Sequence, residues 1–194
     1  MCVAATDGPS IFHFAQYRFN NTSFRDMEEI LSRADVVVMN FGIHWMDSPA
    51  NEYRRDMTKL FTFLRTYDLT SKQIVWRESF AQHFDSEGGE YKQGQERCVG
   101  IKYGDKYPHM WRDMIVRETI EELGMQIIFL NETTRSTAEN SGGIFWLPVH
   151  DESRHNWVDL HKVHPTTGNC EATHVCQAPG LWGNMFGTLT NVML

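Results

Sequence analysis

Residues 170–176, CEATHVC, set one histidine between two cysteines with a carboxylate three residues before it. A histidine that takes a proton from a nucleophile needs a partner that fixes its tautomer and stabilises the imidazolium, and a carboxylate three residues upstream on a turn can reach it. Glu171 and His174 have that spacing, while Cys170 and Cys176 are close enough in sequence to bridge a small loop. Two earlier stretches carry polar residues straight after an apolar run. In VVVMNFGIHW, Asn40 follows the run, Gly42 allows an unusual backbone path, and His44 lies just beyond. An asparagine amide so placed can donate to a developing oxyanion, a contribution of about 3 to 4 kcal/mol where it has been removed. The plain alternatives are an Asn-x-Gly turn and a structural histidine. WRESFAQHF gathers Arg77, Glu78, Gln82 and His83. Either Arg77 sits beside a bound polar substrate, or it pairs with Glu78 on a solvated loop. The tail histidines His150, His155, His161 and His164, with the nearby cysteines, have ligand types that suit zinc, but their spacing fits no familiar finger, so no metal is assigned.

Alternating strands and helices would have to position these residues. IFHFAQYRF mixes aromatic and β-favouring residues before NNTS, as a strand does before a capped helix. In FRDMEEILSR, Phe24, Met27, Ile30 and Leu31 recur at helical spacing, and the valine-rich ADVVVMN reads as a buried strand. NEYRRDMTKLFTFLRTY lines Tyr53, Met57, Leu60, Phe61 and Leu64 along one helical face before the strand KQIVWRES. A long glycine-rich excursion, DSEGGEYKQGQERCVGIKYGDKYP, precedes the helix HMWRDMIVRETIEELG, closed by Gly124, and the strand MQIIFL. This rhythm predicts an α/β fold with a parallel sheet covered on both faces, whose sites lie at the carboxyl ends of the strands.

The 194 residues suit one domain spanning 1–194, with no linker-like division. A net charge of -7 with no dense Lys/Arg stripe argues against holding nucleic acid. No apolar run approaches membrane-spanning length. Sequons at Asn20, Asn21 and Asn131 lean towards a luminal or secreted setting.

Taken in order, DVVVMNFGIHW, VWRESFAQHFDSEGGEY with Cys98 beyond it, and CEATHVCQAPGLW resemble the PC-esterase group of the SGNH/GDSL superfamily, which includes the trichome-birefringence-like polysaccharide O-acetyltransferases. The resemblance implies a three-layer α/β/α sandwich around a parallel sheet. It also implies transfer or hydrolysis of an acyl group, usually acetyl on a sugar, through an ester of a Gly-Asp-Ser serine and with no cofactor. By the same resemblance His174 is the general base and Asn40 the oxyanion donor. Gly42 and His44 match the rest of the motif that holds Asn40, and Arg77 and His83 match the segment after the next strand. The implied partner is an acetylated or acceptor carbohydrate, and the implied location the Golgi lumen or secretory pathway.

The sequence departs from that pattern twice. Glu171 stands where the family carries Asp, and an inserted residue would align Asn169 there instead. No Gly-Asp-Ser is present; DGPS, ending at Ser10, leads directly into the IFHF strand rather than into a helix. The expectation is therefore a domain lacking its first strand, nucleophile and helix, with an unpaired apolar edge and a tendency to aggregate. The alternative is a catalytically inactive glycan-binding pseudoenzyme or truncated gene product.

Overall fold

The computed structural model describes residues 21–42, 49–67, 69–85, 99, 110–130, 142–149, 161–163, 170–175 and 187, with side chains at 21–23, 70, 110, 161–163 and 170–175 excepted. The IFHF segment, His44, the DGPS serine, Asn169 and Cys176 lie outside these residues. The chain forms helix α1 (Asn21–Arg33), strand β1 (Val36–Met39), helix α2 (Ala50–Arg65) and strand β2 (Gln73–Arg77). These are followed by helix α3 (Met110–Glu122) and strands β3 (Ile127–Phe129), β4 (Ile144–Leu147), β5 (His161–Val163) and β6 (Cys170–Val175). The first four strands make one parallel sheet in the order β1-β2-β4-β3, while β5 and β6 pair antiparallel in a separate ribbon. This is an α/β fold.

Helices α1 and α2 owe their place to an apolar stripe, whereas α3 buries Arg112, Asp113 and Thr119 beside Ile115, Val116 and Ile120. On α2, Tyr53, Met57, Leu60, Phe61 and Leu64 follow the 3.6-residue period and are fully buried. Each such side chain contributes about 1.5–3 kcal/mol by leaving water. Met27 and Leu31 of α1 and Ile115, Val116 and Ile120 of α3 join the same cluster, together with Val37, Met39, Ile74, Trp76, Ile144 and Trp146 from the sheet. Among the described residues, all three helices thus pack on one sheet face. The opposite face carries a smaller cluster of Val75, Ile128, Leu130, Phe145, Leu147 and Val149.

The end of α3 is set by a Schellman motif. Gly124, at φ 69°, donates its N–H to Glu121 O at 2.9 Å, and Met125 N–H reaches Ile120 O at 3.0 Å. At the other end of the sheet, β1 is an edge among the described strands. Its Val37 and Met39 are buried, but Val36 and Val38, which alternate onto the other face, are 37% and 46% exposed. A valine-rich strand with one bare face is unusual in a parallel sheet, which is normally covered on both.

Candidate functional site

Register brings the strand ends together. Met39 lies opposite Trp76, and Trp76 opposite Trp146, so the chains leave β1, β2 and β4 side by side at the carboxyl edge of the sheet. Asn40 is the first residue past β1. Its Nδ2 donates to Arg77 O at 2.7 Å and to Ser79 Oγ at 3.2 Å. A carbonyl only accepts, so the Arg77 oxygen fixes which end of the amide faces it. Both amide hydrogens are thereby engaged. Gly42 is needed by a close approach: a Cβ there would overlap Ser79 Oγ and fall 3.1 Å from Ser79 Cβ and 3.3 Å from Asn40 Oδ1. Tyr53 of α2 adds a third tie, its hydroxyl donating to Phe41 O at 2.8 Å.

Two carboxylates sit beneath this loop, and each does the same thing. Asp113, in the first turn of α3, accepts Trp76 Nε1–H at 3.2 Å and the Ser79 backbone N–H at 3.2 Å. Glu78 accepts Trp146 Nε1–H at 2.7 Å and the Val149 backbone N–H at 3.1 Å. Each carboxylate thus takes the indole N–H of a strand tryptophan and the peptide N–H three residues further along that chain. The two indoles stack across the strands, with centroids 6.4 Å apart and planes at 27°.

Burial pushes the Asp113 carboxyl up to about 7, and the Glu78 charge adds to the rise; the Trp76 and Ser79 hydrogen bonds and the Arg77 cation oppose it. The Tyr53 phenol is pushed well above its ordinary value by burial and by Asp113, against the Arg112 charge. Arg77 is half-buried. Its guanidinium lies 4.3 Å from the Phe80 ring centroid, and Nη1 donates to Glu78 O at 2.9 Å. Desolvation lowers it to about 10, which leaves it a cation at neutral pH. The solvated Arg77 and Glu78 ion pair weighed from the sequence is not what forms: Arg77 meets the Glu78 backbone, and the Glu78 carboxylate serves β4.

The segment after β2 then dives inward. Ser79, Ala81, Gln82, His83 and Phe84 are all buried. His83 is fully enclosed, and its carbonyl accepts the Val99 N–H at 2.9 Å, which brings the residue after Cys98 beside it. Of the residues named from the sequence, the structure gathers Asn40, Gly42 and Arg77 around Ser79 and puts His83 on the adjoining buried segment.

Glu171 and His174 lie on β6, a strand where the sequence suggested a turn. There Lys162 pairs with Glu171 and Val163 with Cys170, but His161 pairs with Val175, so His174 falls in the irregularity between ladder positions. Sequence reasoning missed Asp113, Ser79 and Tyr53. No periodic signal marked Asp113: α3 has little amphipathic pattern and buries Arg112 and Thr119 as well, so a buried carboxylate does not stand out in its sequence.

Chemically, the edge gathers a cation, a hydroxyl and an oriented amide, with Ser79 buried and the Asn40 amide hydrogens held by Arg77 O and Ser79 Oγ. A separate groove of about 430 Å³ between α1 and α2, lined by Phe24, Thr58, Lys59, Thr62, Phe63 and Thr66, shares no residue with it. Among the described residues no three His, Cys, Asp or Glu side chains are placed to hold a metal ion, and no helix is long and apolar enough to cross a membrane. No protein-family model matches the chain, and no curated protein matches it.

Proposed function

We propose that the chain belongs to a carbohydrate O-acyl esterase or O-acetyltransferase of the PC-esterase type, built on an SGNH-like three-layer sandwich and working in the Golgi or secretory pathway. The observation that carries this reading is the meeting of Asn40 and Gly42, from one sequence block, with Arg77 and Ser79, from another, at the carboxyl edge of a parallel sheet, where open α/β sheets bind ligands. In the proposed reaction a serine hydroxyl attacks the acyl carbonyl while His174 takes its proton, with Glu171 as the partner acid. The oxyanion collapses and expels the sugar hydroxyl, which receives that proton. Water or a second sugar hydroxyl then releases the acyl group by the reverse steps. Asn40 stabilises the oxyanion by exchanging its longer bond, to Ser79, while the shorter one to Arg77 O keeps the amide oriented.

No Gly-Asp-Ser occurs in the sequence, and the nucleophilic serine of the proposed reaction is assigned to no residue of it. The test is acetate release from an acetylated oligosaccharide by the protein expressed from its full native reading frame, compared with the His174→Ala variant. Release that depends on His174 supports the reading; release that survives the substitution removes His174 as the base.

One observation favours a second reading, a glycan-binding module without turnover: both hydrogens of the Asn40 amide are already engaged. Saturable binding of the oligosaccharide, with no acetate release and no labelling by a fluorophosphonate serine probe, would select it.

A further inference from the structure

We propose that Asp113 is the positioning residue of this site: its two accepted hydrogen bonds fix the chain just beyond β2, and through Ser79 they set the Asn40 amide. The inference rests on the acyl-transfer reading for its functional consequence, but its geometry stands independently. Asp113 Oδ2 holds the Ser79 N–H and Oδ1 holds the Trp76 indole, so one carboxylate spans the step from strand to loop. Ser79 then presents its hydroxyl to Asn40 Nδ2, and the absence of a Cβ at Gly42 lets it sit there. The chain of contacts runs from α3 through the end of β2 to the end of β1 without a gap. Glu78 repeats the arrangement one strand over, on Trp146 and Val149. The pair thus defines the heights at which β2 and β4 give way to loop, a task that a hydrophobic side chain cannot perform because the peptide N–H groups would lose their acceptors.

The site has a built-in sensitivity to protons. Among the described residues, the titratable and charged groups around Asp113 are Arg77 at the end of β2, Glu78 just past it, Tyr53 on α2 and the adjacent Arg112 on α3. Asp113 is 6% exposed, so its removal from water comes first in setting its charge state, and the neighbouring donors and charges adjust it. A proton gained by the carboxyl weakens it as an acceptor for both donors, loosening Ser79 and, through it, Asn40. The donor side of the site is therefore tightest when Asp113 is ionised.

The test compares wild type with Asp113→Asn and Asp113→Glu, with Trp76→Phe as a second perturbation that removes the indole donor together with part of a buried ring. Far-UV circular dichroism confirms that each folds. In Asp113→Asn, which keeps one carbonyl acceptor for two donors, the Ser79 amide is expected to exchange with solvent at least tenfold faster, and the ¹⁵N-labelled Trp76 indole to lose a titration seen in wild type near neutral pH. In the active enzyme, kcat for an acetyl ester falls about tenfold at unchanged KM, the limb of the pH profile near neutrality disappears, and Asp113→Glu restores part of the rate. Unchanged Ser79 exchange together with an unshifted Trp76 indole overturns the inference whether or not turnover is present, as does a variant with wild-type kcat and pH profile. A wild-type protein that releases no acetate overturns the acyl-transfer reading alone, and the exchange and indole data still decide the role of Asp113 in placing Ser79.

Discussion

Replacing Asp113 by asparagine should change the slope of stability against pH as well as the stability at any one pH. The Asp113 carboxyl moves from 3.8 to about 7, first because it is buried and next because Glu78 lies close. The folded protein therefore keeps a proton through a window in which the unfolded chain has released it. The contribution to stability is greatest below the unfolded value, falls as pH rises across the window from 3.8 to about 7, and is flat above it. A shift of this size corresponds to roughly 4 kcal/mol over the whole window, at about 1.4 kcal/mol per pH unit.

Asparagine cannot titrate, so the difference between wild type and Asp113→Asn should drop by roughly 2 kcal/mol between pH 5 and pH 7 and level off towards pH 8. Urea unfolding at pH 5, 6, 7 and 8, followed by tryptophan fluorescence, measures it, and taking the difference removes the titration of distant groups. Parallel curves for the two proteins would refute the argument. A difference that instead rose with pH would mean that the two hydrogen bonds outweigh burial and that the carboxyl is depressed rather than raised.

Three other substitutions follow from the same geometry. Gly42→Ala forces its methyl into Ser79 and should cost about 1–3 kcal/mol as an overpacked contact, read as a lower Tm. Glu78→Gln leaves one carbonyl oxygen for both Trp146 Nε1 and Val149 N and should cost about 1–3 kcal/mol, with a change in tryptophan emission; a loss below about 0.5 kcal/mol would show that water replaces the carboxylate. Val38→Lys, on the half-exposed side of the edge strand, should change stability by no more than about 0.5 kcal/mol while lowering concentration-dependent association in light scattering. A large loss of stability there would mean that the outer face of β1 is covered.

The elements that could be read from sequence are those with a long periodic signal. The stripes on α1 and α2 and the apolar runs of β1, β2 and β3 all form where their patterns lie, and Gly124 ends α3 as its position suggests. Strand β4 was not legible in the same way. It is only four residues, IFWL, caught between Gly143 and Pro148, and its place between β2 and β3 is decided by pairing between distant segments. The site divides on the same principle. Asn40, Gly42 and Arg77 announce themselves by following a strand. Asp113 and Ser79 acquire meaning only when α3 folds over the end of β2, because their partners are 37 and 34 residues away. Glu78 is visible in the sequence, but its carboxylate's partner is not, since a sequence shows the adjacent arginine and not the Trp146 indole 68 residues on.

The most direct test of the account is acetate release from an acetylated oligosaccharide by the protein expressed from its full native reading frame, measured beside Asn40→Ala and His174→Ala. The account predicts release by wild type, a fall of roughly 100-fold or more in kcat on losing the Asn40 donor, and none above background without His174. No release by wild type, or full activity in either variant, would contradict it.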